Sequence, residues 1–124
     1  MATKTRPEWN SCLSHLIMRW RMLIVNEKLI TRFARKHPDA ASWLEKWLDL
    51  TETSSWRNFN DVKGAFPAVD GGVKVGSGGS VTIFDVGGNK YRMIASIKYH
   101  VQLVTILELL THAEYSKNLW NERH

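Results

Sequence analysis

A chain of 124 residues with 44% hydrophobic residues, including six tryptophans, is long and apolar enough for one compact domain and excludes global disorder. Its formal net charge of +5 indicates an anionic partner, most commonly nucleic acid. The single cysteine, Cys12, excludes a disulfide framework and a cysteine-based zinc site, and no apolar run approaches the length of a membrane span or signal peptide, so we expect a cytoplasmic protein with no membrane partner.

The first predicted elements are a short helix and a strand. Residues 1–21 are polar at first and then place apolar residues at helical spacing, so they predict a short helix within an N-terminal extension. The run Met22-Leu23-Ile24-Val25 predicts a first, buried strand. We expect the folded domain to span residues 22–124.

Two helices are predicted next. Asn26 is suited to cap a helix that begins at Glu27 and ends before Pro38, because proline disfavours helical geometry in the residue before it. Asp39 is predicted to cap the second helix, whose buried face carries Trp43, Leu44, Trp47 and Leu48. The cations of the first helix lie off its apolar stripe, at Lys28, Arg32, Arg35 and Lys36.

The middle of the chain is more irregular. Residues 51–58 predict a loop, and Asn60 is predicted to cap a short third helix that Pro67 ends. Five glycines within residues 69–80 predict a flexible loop or a hairpin tip. This loop does not match a phosphate-binding motif, because neither GxxxxGK[ST] nor GxGxxG can be aligned to it.

Three strands are predicted to follow as an antiparallel meander, at residues 81–86, 90–99 and 101–110. Gly87-Gly88-Asn89 suits the first turn, since these residues tolerate positive φ, and the second connection is tight around His100. Thr111 and Glu114 then match a capping box that begins a short final helix. A strand, helices and a strand meander predict an α+β fold.

The middle strand has one apolar and one basic face. The apolar face carries Tyr91, Met93, Ala95, Ile97 and Tyr99, and the other face carries Lys90, Arg92, Ile94, Ser96, Lys98 and His100. Antiparallel sheets commonly expose one side, so the basic face is interpreted either as solvated or as a surface that receives RNA.

His112 and Tyr115 are one helical turn apart at the predicted final helix. His112 is interpreted either as an exposed first-turn residue or as a base, because the positive end of a helix dipole disfavours imidazolium. RNA cleavage by the 2′-hydroxyl needs a base, a cation at the phosphate and an acid for the leaving oxygen. HExxH and a carboxylate cluster are both absent from the sequence, so we expect neither a metal nor a cofactor.

Four segments together resemble the HigB family of type II toxin–antitoxin toxins: WRMLIVNEKLITRFARKHPDA, WRNFNDVKGAFPAVD, VGGNKYRMIASIKYH and THAEY. The resemblance runs from about Met22 to Lys117. It implies a RelE-like α+β fold, with an N-terminal strand and two to three helices packed on an antiparallel sheet before a short C-terminal helix. It also implies a metal-independent endoribonuclease that cuts mRNA on the translating ribosome and is neutralised by a helix-turn-helix, HigA-like antitoxin.

The resemblance also assigns roles to single residues. Arg92 lies in the KYR segment and would stabilise phosphate charge, while His112 and Tyr115 lie in the THAEY segment and would handle protons or position the base. The RNA backbone would be held by Lys90, Lys98, Arg57 and Lys63.

The sequence departs from the family pattern at several positions. Asp85 stands where the family commonly has Asn, Leu107 and Glu108 stand where many relatives carry Arg or Lys, and Ser116 replaces an Asp. Asp85 adds negative charge near the phosphate site, and the last strand lacks positive charge. Two alternatives therefore stay open: a toxin of the same fold that acts on a protein such as DNA gyrase, and a degenerate relative that only binds RNA or its antitoxin.

Overall fold

A computed structural model describes residues 21–124, so Cys12 and the helix predicted near the N-terminus lie outside the described residues. The described strands are β1 (Leu23–Val25), β2 (Asp70–Lys74), β3 (Ser80–Val86), β4 (Tyr91–Lys98) and β5 (Leu103–Thr111). The α-helices are α1 (Lys28–Lys36), α2 (Ala41–Glu52), α3 (Phe59–Ala65) and α4 (His112–Ser116). Single 3-10 turns lie at Pro38–Ala40, Tyr99–Val101 and Leu119–Arg123.

The five strands form one sheet in the order β1-β5-β4-β3-β2. Neighbouring strands are antiparallel except β1, which runs parallel to β5 with Leu23 opposite Leu103. The α+β prediction is confirmed, and the sheet is mixed because of β1. The prediction that β1 is buried is wrong, since it is an edge strand in which Leu23 and Val25 are 65% and 41% exposed.

An apolar cluster lies on each face of the sheet. The larger one packs the helices onto the sheet and includes the fully buried Trp47, Phe84 and Met93. The smaller one lies on the opposite face, because Ile83 and Ile94 alternate with Phe84 and Met93 along their strands. Trp120 completes it from the segment 119–124, which we call the tail segment. The basic face of β4 is therefore only partly exposed, since Ile94 is buried in its middle.

An extra residue in β5 forms a β-bulge. Ile94 pairs with Glu108 and Ala95 pairs with Ile106, so Leu107 has no partner opposite it on β4. The bulge shifts the alternation of β5. Ile106 and Leu109 both join the helix-side cluster, while Leu107 packs against the cluster under the tail segment.

The three predicted Asn and Asp helix caps are wrong, each for a local reason. Asn26 has φ of 75° and its side chain donates to the Ile106 carbonyl at 3.0 Å, so it fixes β1 to β5. Asp39 lies in a 3-10 turn and turns its carboxylate to β4. The third helix begins two residues earlier, because its cap is Asn58, which accepts a hydrogen bond from the Asp61 backbone N–H at 3.2 Å. By contrast, the capping box at Thr111 is confirmed, and α1 ends before Pro38 as predicted.

The glycine-rich stretch contains a strand that the sequence prediction missed. β2 pairs with β3 through a register shift between Asp70 and Val73, and only residues 75–79 form the hairpin tip. Gly71 is required by close packing, because a Cβ there would lie 2.5 Å from the Phe59 ring. Such a short, irregular edge strand has little hydrophobic pattern to reveal it. The loop predicted at residues 51–58 is also shorter, since α2 continues to Glu52.

Candidate active site

Arg92 is the central cation of the candidate site. It lies on β4 opposite Asp85 of β3, and its Nη1 donates to the Asp85 carboxylate at 2.7 Å and to the Tyr91 carbonyl at 3.2 Å. Its Nη2 donates to the side-chain oxygen of Asn89 in the β3–β4 turn. The side chains of Arg92 and Asp85 are only 15% and 27% exposed, so this ion pair is partly shielded from water.

The contacts of Arg92 leave part of the guanidinium unused. A guanidinium has five N–H donors, and Asp85, Tyr91 and Asn89 take one each. Nε–H and one Nη2 hydrogen make no hydrogen bond to the described residues. Two donors on a planar, fixed cation are suited to bind two oxygens of one phosphate. The site can thus hold an anion without first reorienting Arg92.

Tyr115 of α4 contacts Arg92 through its ring. The guanidinium carbon lies 5.2 Å from the ring centroid, and the Trp120 ring stacks on Tyr115 at 5.3 Å with an interplanar angle of 11°. The Trp120 indole N–H also donates to the Tyr115 carbonyl at 3.1 Å. With a guanidinium and an indole on the ring, little ring surface is left for a nucleotide base. The hydroxyl is therefore the part of Tyr115 that we expect to act.

The hydroxyl of Tyr115 stays protonated at neutral pH. Burial raises its pKa above the usual 10.0, and the Asp70 and Asp85 carboxylates act in the same direction, while Arg92 opposes them. A protonated phenol beside a cation is able to donate a hydrogen bond or a proton to a developing anion.

His112 is exposed at the first position of α4. Its backbone N–H donates to the Lys90 carbonyl at 3.0 Å, and its ring Nδ1 lies 3.3 Å from the Ser116 hydroxyl. Because Arg92 pairs with Leu110 across β4 and β5, His112 begins α4 at the same end of the sheet. The structure thus brings the three predicted catalytic residues to one end of the sheet and places Tyr115 in contact with Arg92.

The tail segment is tied to the sheet at two places besides Trp120. The side chain of Asn121 donates to the Lys74 carbonyl at 3.3 Å, and its own carbonyl accepts from the Gly76 backbone N–H at 2.9 Å. Arg123 and His124 both bind the Glu108 carboxylate, at 2.6 and 2.7 Å. These bonds hold Trp120, and with it the ring of Tyr115, over the site.

The Glu108 contacts predict a pH dependence of stability. Burial raises the pKa of Glu108, but the hydrogen bonds from Arg123 and His124 outweigh burial and bring the pKa below 4.5. Folding therefore gains stability from this carboxylate above pH 4.5 and loses it as pH falls through the lowered pKa. In urea unfolding, we expect Glu108→Gln to be less stable than the unmodified protein above that pH, with the gap closing in acid. A gap that stays constant from about pH 7 to about pH 3 would contradict this.

Lys90 lies beside the site but turns toward the helices. Its ammonium is 3.2 Å from the Asp39 carboxylate, which also accepts from the Tyr91 hydroxyl at 2.8 Å. The hydrogen bond from Tyr91 and the one from Lys90 lower the pKa of Asp39. His37 packs on the Tyr91 ring at 4.9 Å. Lys90 is therefore near Arg92 in the chain, yet it is oriented by an ion pair with the α1–α2 connection.

The other predicted RNA-binding residues lie elsewhere. Lys98 is six residues from Arg92 along β4, or about 20 Å at the usual rise of a strand. An open groove of about 750 Å³ at that end is lined by Arg57, Ile97, Lys98, Tyr99, His100 and Gln102. Arg57 is paired with Asp61 at 3.1 Å, and Lys63 donates to the Pro67 carbonyl at 3.2 Å. These residues do not join the Arg92 site.

Three contacts of the site were missed by sequence reasoning: the Asn89 and Asp85 acceptors of Arg92 and the Trp120 ring on Tyr115. Asp85 was noticed only as a departure that adds negative charge. The predicted hairpin gave a usable signal for it, since the two strands joined by the Gly87-Gly88-Asn89 turn place Asp85 opposite Arg92. For Trp120 the sequence holds no comparable signal.

The described residues offer neither a metal-binding cluster nor a membrane-spanning helix. Within residues 21–124, no group of three or more His, Cys, Asp and Glu side chains is placed to hold a metal ion. Over the same residues, no helix is both long and apolar enough to cross a membrane.

Comparison with known protein families gives a match over most of the described chain. A family model described as HigB_toxin, RelE-like toxic component of a toxin-antitoxin system, matches residues 40–118. This range includes β2 to β5, α4 and all three residues of the candidate site, whereas α1 lies before it. No curated protein matches the chain at a significant level.

Proposed function

The chain belongs to the HigB family of RelE-like toxins, which implies an antitoxin partner, and from this premise we propose that it is an endoribonuclease that cuts mRNA on the translating ribosome. The observation that carries the proposal is the fixed guanidinium of Arg92, which keeps two donors for a phosphate and contacts the ring of Tyr115. The proposed antitoxin is a helix-turn-helix protein, and the proposed site of action is the cytoplasm.

The proposed reaction uses only side chains and the RNA itself. His112 takes the proton of a ribose 2′-hydroxyl, whose oxygen then attacks the adjacent phosphorus. Arg92 stabilises the charge that develops on the phosphate oxygens, and Tyr115 gives its proton to the departing 5′-oxygen. The products are a 2′,3′-cyclic phosphate and a 5′-hydroxyl. The ribosome would contribute by ordering the mRNA at the site.

Mapping of transcript 5′ ends tests this function. The protein is induced in cells that lack the antitoxin, and the same is done with Arg92→Ala. We expect new cuts inside translated regions with the unmodified protein and none with the variant. Growth arrest without new cuts would instead indicate a protein target such as DNA gyrase.

The Asp85–Arg92 ion pair also favours a second candidate, a relative that binds RNA but cleaves it slowly. A carboxylate 2.7 Å from Arg92 offsets the positive charge that a phosphate would meet. In that case the protein would bind RNA, but its induction would cause neither growth arrest nor new cuts in RNA.

The variant Asp85→Asn measures how strongly this carboxylate limits the site. Asparagine keeps an oxygen that accepts from Arg92 but removes the negative charge. Repulsion between a carboxylate and a phosphate at this range costs about 1–2 kcal/mol, so we expect the KM for RNA to fall about tenfold. Asp85→Ala is the matched control: it removes the acceptor as well, so we expect kcat to fall through loss of orientation. An unchanged KM in Asp85→Asn would argue against this role.

A further inference from the structure

Helix α1 carries an unusual concentration of positive charge on its outer face. The four cations are exposed and recur at intervals of three and four residues, at Lys28, Arg32, Arg35 and Lys36. With 3.6 residues per turn, this spacing places them along one stripe. The buried residues Ile30 and Phe33 lie on the opposite side of the helix. The four cations thus form a basic stripe that points away from the core.

The charge of the basic stripe is not neutralised within the described part of the chain. None of its four residues makes an ion pair with a residue between 21 and 124, although like charges at these spacings repel and disfavour the helix. The acids next to the stripe in the sequence are Glu27, at the helix start, and Asp39, whose carboxylate is bound by Tyr91 and Lys90. A stripe that costs stability and has no internal partner is suited to an external polyanion.

The end of the basic stripe lies next to the Arg92 end of the sheet. Lys36 is followed by His37, which packs on Tyr91 at 4.9 Å, and Tyr91 precedes Arg92 in β4. Lys90 is 64% exposed and bridges this gap through its contact with Asp39. Arg92 lies on the tail-segment side of the sheet and α1 on the helix side, so the path of cations from Arg92 to Lys36 and Arg35 turns around this end of the sheet at Lys90.

The alternative direction, along β4 toward Lys98, is obstructed. Between Arg92 and Lys98 on the same face lies Ile94, which is fully buried in the cluster that contains Trp120. Opposite Ile94 on β5 is Glu108, a carboxylate that is held by Arg123 and His124. A phosphate backbone on this course would have to cross the tail segment.

We propose that the basic stripe of α1 is an RNA-binding surface, which holds the phosphodiester backbone of a single strand that continues from Arg92 past Lys90. The proposal depends on the proposed function for its ligand class, RNA. It differs from the family resemblance, which assigned the backbone to Arg57, Lys63 and Lys98.

Two triple variants with the same net charge test the proposal. One is Arg32→Gln/Arg35→Gln/Lys36→Gln, in the basic stripe, and the matched control is Arg57→Gln/Lys63→Gln/Lys98→Gln. The affinity of each variant for a 2′-O-methyl RNA oligonucleotide of mixed sequence, which cannot be cleaved, is measured over a range of KCl concentrations. The slope of log K against log salt concentration falls by about 0.7 for each lost phosphate contact of a single strand.

The stripe variant is expected to lower this slope by about 2 and the control variant by less than about 0.7. Equal decreases would show that only net charge matters and would overturn the proposal, as would an unchanged slope in the stripe variant. Glutamine has nearly the helix propensity of lysine and arginine, so far-ultraviolet circular dichroism should not change.

The result is distinguishable from failure of the proposed nuclease function. The substitution Arg92→Ala removes one phosphate contact, so it should abolish cleavage but lower the slope by only about 0.7. If the unmodified protein cuts no RNA but the slope of the stripe variant is still lower by about 2, the nuclease proposal fails and the RNA-binding surface stands. If the unmodified protein does not bind the oligonucleotide, the RNA-binding surface is refuted.

Discussion

Arg92→Ala is expected to reduce the rate of RNA cleavage by about 10²–10⁴-fold, equivalent to about 3–5 kcal/mol of transition-state stabilisation. The reason is that alanine removes the fixed cation whose two remaining donors are proposed to bind the phosphate, while His112 and Tyr115 stay in place. Single-turnover cleavage of a defined mRNA on purified ribosomes measures this loss as a change in rate rather than in binding.

Arg92→Lys is the informative companion of this variant. An ammonium has one centre of charge and cannot reach Asp85, Asn89 and the Tyr91 carbonyl while also offering two aligned donors. We therefore expect it to recover only a small part of the lost rate. Full activity of Arg92→Ala would remove Arg92 from the proposed reaction, whereas full activity of Arg92→Lys would show that a single cationic centre suffices. A lowered unfolding midpoint would show that the ion pair with Asp85 also supports the fold.

The largest effect on stability is expected at Phe84. Its ring is fully buried, and it meets the rings of Trp47 and Phe66 edge to face at 5.5 and 5.4 Å. Phe84→Ala leaves a cavity between the sheet and the helices, so we expect a loss of about 3–5 kcal/mol in the free energy of unfolding. A domain of this size has about 5–15 kcal/mol in total, so the variant should be close to unfolded at 37 °C.

Urea unfolding followed by tryptophan fluorescence checks this result. Leu119→Ala serves as the control on the other face of the sheet, because Leu119 is 56% exposed and its loss should change stability by less than about 0.5 kcal/mol. If Phe84→Ala costs no more than the control, the helix-side cluster is not the main source of stability.

The sequence predicted correctly those elements whose structure is determined by residues close together in the chain. Alternation in the KYR strand, the Gly-Gly-Asn turn and the Thr111–Glu114 capping box each depend on residues within a few positions of one another. These elements also carry Arg92, His112 and Tyr115. The candidate site was therefore predictable as a set of residues, although the sequence did not show how they contact one another.

What the sequence did not reveal depends on distant partners. Asn26 was a plausible cap by type, but its amide is used by Ile106, and Asp39 is used by Tyr91. Local sequence preference cannot decide between a helix cap and a bond to a distant partner, since either bond satisfies the polar atoms of the Asn or Asp side chain. The parallel position of β1 at a sheet edge is likewise set by β5 and not by the apolar run itself.

The departures on the last strand have a structural explanation. Leu107 and Glu108 flank the β-bulge, where Leu107 packs toward the tail segment and Glu108 binds Arg123 and His124. Positive charge at position 108 would face two positively charged or basic groups. The negative charge here therefore stabilises the segment that holds Tyr115, and it need not be read as lost catalytic charge.

The parallel pairing of β1 with β5 has a consequence for the timing of synthesis. Asn26 donates to Ile106, 80 residues later, so the first described strand has no partner until the last strand has left the ribosome. Contacts over such separations slow folding, and the edge of the sheet stays open until they form. Arg92 lies on β4, and His112 follows β5 directly. The candidate site is therefore complete only once β5, which leads directly into His112 and α4, has paired with β4.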